Sequence, residues 1–159
     1  MKNHLHKKRY TPIHGDYPVE AVKRLARYTH LTHAKDGLLR FGKNGLVRQG
    51  KAPGQGSIEW EPILKTLKEF QPNIDLSIED HKVLWYIDIY KQEWYQDHPD
   101  VCAYEISQMV RLAKETEEKE SQGLIPDMNK YESVPYLEQM NERLTFGRNY
   151  LRSILAKVR

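Results

Sequence analysis

The chain has 159 residues, 39% hydrophobic and 30% charged, with a formal net charge of +3, which allows one ordinary core and gives no pull toward nucleic acid or an anionic membrane surface. Its single cysteine, Cys102, excludes an internal disulfide. No apolar run is long enough to cross a bilayer or to form the core of a signal peptide, and the composition reads as that of a soluble cytoplasmic protein.

Residues 1–15 are polar and basic, with Lys7, Lys8 and Arg9 among His4, His6 and His14. Without an apolar period or a rigid scaffold they read as a mobile arm. From Asp16 to Arg27 a helix is expected: Asp16 or Tyr17 caps it, Pro18 suits its first turn, and Val19, Val22, Leu25 and Ala26 share a face. A strand follows over Tyr28–Ala34 after almost no linker, as αβ connections often do. In a strand His33 points the same way as Leu31 and Lys35, and His30 the opposite way, so only one histidine serves a given site.

The stretch from Asp36 to Gly56 carries six glycines with the cations Arg40, Lys43, Arg48 and Lys51, and reads as a long functional loop. Its Gly54-Gln55-Gly56 reads as a tight turn in preference to a phosphate cradle. Glu59–Phe70 is the clearest helix, with Trp60, Ile63, Leu64 and Leu67 on one stripe and Pro62 in the first turn. Ile74–Glu79 then alternates: Ile74, Leu76 and Ile78 on one face, Asp75, Ser77 and Glu79 on the other. The aromatic run His81–Asp100 reads as a packed loop. Helices are expected over Ala103–Gln122, stopped by Gly123, and over Val134–Val158.

Two strands ending in a His-x-Lys and a carboxylate, with a glycine turn and an amphipathic helix between them, make a βαβ unit with metal-type ligands at its strand ends. Pro18-Val19-Glu20-Ala21-Val22, His33-Ala34-Lys35-Asp36, Gly54-Gln55-Gly56-Ser57-Ile58-Glu59-Trp60 and Leu76-Ser77-Ile78-Glu79 resemble the C-terminal part of the sugar phosphate isomerase/epimerase family, the xylose isomerase-like TIM barrels. The resemblance implies an α/β fold: the last two strands of a (β/α)8 barrel with their helices over residues 16–100, and a C-terminal helical extension over 101–159. It also implies a divalent ion (manganese, magnesium, cobalt or zinc) held by His33 and Glu79, with Glu79 as an acid–base group. Lys35, Asp36 and Arg40 would contact a sugar or sugar phosphate. Because a full barrel needs about 250 residues, and the earlier Glu and Asp ligands have no counterpart here, the expectation is a truncated member. It would be inactive alone, or completed by a second copy or by a missing N-terminal half.

Two further classes stand beside this one. An endonuclease IV-type nuclease shares the barrel, but its Asp-x-His pair before the glycine turn is replaced here by Gly45–Ala52. A non-enzymatic interaction module would use the aromatic run and the long helices.

Overall fold

The computed structural model describes residues 18–158, so the basic arm and the Asp16 cap lie outside the described residues. The fold is mixed α/β, built on two small sheets and two hydrophobic clusters.

Helix α1 (Pro18–Leu25) runs into a single 3-10 turn at Ala26–Tyr28. The expected strand from Tyr28 is shortened to β1 (Thr32–Ala34) for a local reason. The Thr29 hydroxyl donates to the Leu25 carbonyl (3.0 Å) and its amide to the Ala26 carbonyl (3.1 Å), holding the chain against the helix end. Helix α2 (Trp60–Phe70) follows the glycine turn, and β4 (Leu76–Ile78) then lies parallel to β1, with Thr32 opposite Leu76, His33 opposite Ser77 and Ala34 opposite Ile78. The parallel pair with a helix in its crossover is the βαβ unit expected from the pattern.

Of residues 36–56, expected to be a long loop, 36–51 instead form an antiparallel hairpin and only the glycine turn after it is loop. Strands β2 (Asp36–Gly42) and β3 (Gly45–Lys51) pair from Asp36 opposite Lys51 down to Gly42 opposite Gly45, around a two-residue Lys43-Asn44 turn. β5 (Leu84–Ile87) adds to β3, placing a strand inside the run read as a post-strand loop. The glycines obscure the strands, yet Gly50 is where another segment comes close. A Cβ at this position would sit 2.1 Å from the His81 carbonyl oxygen, and the Gly50 amide donates to Val83 O (2.9 Å). Glycine inside a strand often marks such an approach.

Past β5 come α3 (Gln92–Asp97), α4 (Ala103–Ser121), the short α5 (Met128–Ser133) and α6 (Tyr136–Lys157). The α2 stripe packs with Ala34, Val19 and Ala26, and with Leu151 and Ile154 of α6; Leu76 and Ile78 lie against the same cluster. Met109 and Ala113 of α4 close the second cluster over Leu39, Leu46 and Ile87. The helices after residue 100 thus supply part of both cores. Arg143 of α6 grips Asp80, one residue past Glu79, through two charge-assisted bonds, the first of them Nε to Oδ2 at 2.7 Å; neither side chain is more than 4% exposed. That pair ties the long C-terminal helix to the loop leaving β4. No described helix is long and apolar enough to cross a membrane.

Candidate functional site

The C-terminal ends of β1 and β4 carry the cluster. Glu79 extends the β4 ladder by donating its amide to Ala34 O (3.1 Å). Alternation sends Ala34, Leu76 and Ile78 into the helix-side core and leaves His33, Ser77 and Glu79 on the opposite face. His33 Nδ1 stands 2.8 Å from Glu79 Oε2, and Lys35 Nζ donates to Glu79 Oε1 at 2.7 Å. A further histidine, His81, brings Nε2 to 2.7 Å from Oε1. Sequence reasoning passed over His81. The signal was the Glu79-x-His81 spacing, which in an extended segment puts both side chains on one side.

These hydrogen bonds, first from Lys35, then from His33 and His81, hold the Glu79 carboxyl down at about 2. Both imidazole rings are largely exposed and Glu79 is about one-third exposed, so the cluster faces solvent. Among the described residues no group of three or more His, Cys, Asp or Glu side chains is arranged to hold a metal ion.

Behind the cluster, Trp85 of β5 lies between two cations. Lys35 Nζ is 5.3 Å and the Arg48 guanidinium carbon 4.7 Å from its ring centroid, both within cation–π range. Arg48 is buried, and that burial draws its pKa below the usual arginine value, opposed by the charges of Asp36 and Glu79.

Of the expected site residues, His33, Lys35 and Glu79 come together, whereas Asp36 and Arg40 do not join them. Asp36 is fully buried and organises the glycine turn. Its Oδ1 accepts from the amides of Gly37 (2.8 Å) and Ile58 (3.3 Å), and its Oδ2 from the Gly54 amide (2.9 Å) and the Trp60 indole (3.0 Å). Burial raises its carboxyl pKa, and these four bonds act against the rise. The expected substrate contact is therefore replaced by a structural role, since no oxygen of Asp36 is left facing a ligand. Arg40 is likewise buried, paired with Glu120 and bonded to Gln49 Oε1 (3.2 Å) and Pro126 O (3.2 Å), and these partners keep its guanidinium from a substrate.

No protein-family model, curated protein or solved structure matches the chain.

Proposed function

We propose that this chain carries part of the active site of a divalent-metal-dependent sugar or sugar phosphate isomerase/epimerase, built on the C-terminal strands of a (β/α)8 barrel. The observation that carries the reading is the 2.8 Å approach of His33 to Glu79 at the C-terminal ends of two adjacent parallel strands. That is where barrel enzymes keep their chemistry. An imidazole nitrogen and a carboxylate suit manganese, magnesium, cobalt or zinc, and His33 and Glu79 would hold the ion in place of their mutual hydrogen bond. The remaining ligands would come from a second copy or another segment. Among the described residues β1 and β4 pair only with each other, so backbone edges remain for such a partner.

When bound, the ion polarises the carbonyl and hydroxyl oxygens of the sugar. The chain's own groups handle the proton. Glu79 is ionised across the neutral range, so its carboxylate is in the form that accepts a carbon-bound proton. Lys35, 2.7 Å from Oε1, donates a hydrogen bond to the oxygen on which negative charge develops.

Calorimetric titration of the folded protein with manganese tests this. Binding that His33→Ala and Glu79→Gln each abolish supports it, and a screen of ketoses in D2O for exchange of a carbon-bound proton then identifies the substrate. A folded wild-type chain that binds no manganese, alone or at concentrations where it self-associates, sinks the metal assignment. A non-enzymatic interaction module is the second reading, favoured by the solvent-facing rings of Tyr86, Tyr90 and Tyr104.

A further inference from the structure

Between the hairpin and α4 lies a cavity of about 120 Å³, walled by Leu39 of β2, Ile58 of the glycine turn, and Met109 and Leu112 of α4, with Arg48 and Arg111 in its lining. Arg48 is only 4% exposed. Its guanidinium makes one hydrogen bond among the described residues, from Nη2 to the Asp36 carbonyl at 3.3 Å, and otherwise stacks on Trp85. A guanidinium has five N–H donors in a fixed fork, so most of this one's donor capacity is not used by the fold. Arg111 is bonded to Glu115 and to Gln108 Oε1 (3.1 Å), so the other cation and one of the two lining carboxylates offset each other locally. The second lining carboxylate, Glu59, belongs to an exposed residue. The buried Arg48 is therefore the charge that a small ligand would meet against apolar walls.

We propose that this cavity is an oxyanion subsite, in which the Arg48 fork takes the phosphate monoester or carboxylate end of a small ligand. The proposal goes beyond the sugar-site reading and does not depend on it: none of His33, Lys35, Glu79 and His81 lines the cavity, and Arg48 is tied to that cluster through the Trp85 ring, which Lys35 also approaches. Planar bidentate recognition of carboxylate or phosphate is what arginine, more than lysine, provides. Low-polarity walls strengthen the interaction over one in open water.

The test is a 15N–1H NMR titration of the whole chain with inorganic phosphate and, separately, with glycolate. Saturable shifts of the Gly37 amide and the Arg48 Nε–H are expected with at least one of them. The stronger of the two identifies the anion as phosphate monoester or carboxylate. Arg48→Gln weakens the binding about tenfold or more. Leu112→Trp, which fills the cavity and keeps the arginine, does the same, and this second variant keeps the test decisive where Arg48→Gln folds poorly. His33→Ala leaves phosphate affinity unchanged, so failure of the metal site and failure of the anion site read out separately. Absence of saturable binding to either anion, or affinity unaltered in Leu112→Trp, overturns the proposal.

Discussion

Lys51, the last residue of β3, offers a sharp test of the electrostatics beneath the site. Its side chain is buried with Nζ 3.2 Å from the centroid of Tyr131 on α5. Burial is the main cause that brings its pKa from 10.5 to about 7; Arg40, Arg143 and Lys82 push the same way, and Glu132 opposes them. A fall of that size corresponds to about 5 kcal/mol of cost to the protonated form, and replacing buried ionic groups by apolar ones of similar volume typically gains about 1–4 kcal/mol. Replacing the charge while keeping the stem, as Lys51→Met does, is therefore expected to stabilise the fold by about 2–3 kcal/mol at pH 6. The sign follows from linkage. Below about pH 7 both folded and unfolded chains carry the proton, and the folded one bears the whole cost. Between about 7 and 10.5 the folded chain releases its proton first, the unfolded chain binds more, and stability rises with pH. The gap between wild type and Lys51→Met should shrink steadily as urea denaturation, followed by circular dichroism, is repeated from pH 6 to pH 9.5. A variant less stable than wild type at pH 6, or a gap that does not change with pH, refutes the reasoning.

Glu79 should give a slope of the same sign in a more acidic window. Its carboxyl is held at about 2 against an ordinary 4.5, so its contribution is present above pH 4.5 and lost as pH falls toward 2; in acid denaturation the difference between wild type and Glu79→Gln should close over that window. Arg143→Met leaves the Asp80 carboxylate buried without its partner and is expected to cost about 3–5 kcal/mol in urea midpoint analysis, with much of the loss recovered in the double variant Asp80→Leu/Arg143→Met. In Asp36→Asn, a side-chain NH2 must face either the Gly37 and Ile58 amides or the Gly54 amide and Trp60 indole. The expected cost is about 2–4 kcal/mol, accompanied by a shifted Trp60 indole N–H resonance. An unshifted indole would show that the four-way acceptor is not formed in solution.

The geometry of the cluster was partly legible before any fold was known. Alternation in Ile74–Glu79 placed Glu79 on the face away from the core, and parity in the first strand selected His33 over His30; both choices agree with the strand pairing. These inferences work because strand period is a local property that hydrophobic spacing records. Asp36 and Arg40 resisted the same treatment. A charged residue beside glycines looks alike whether it faces substrate or is buried under a turn, and the difference lies in partners that are distant in sequence, Trp60 for one and Glu120 for the other.

The helices α2, α4 and α6 and the two ends of the βαβ unit were determined by the sequence itself, since apolar residues at helical or alternating spacing must be buried together wherever the chain goes. Tertiary structure alone decided the hairpin of β2 and β3, because its glycines weaken every local strand signal, and Gly50 is required by the close passage of residues 81–83. It alone brought Lys35 and Arg48 onto Trp85. Those contacts depend on how β5 docks beside β3, a pairing between segments more than thirty residues apart that no local pattern encodes.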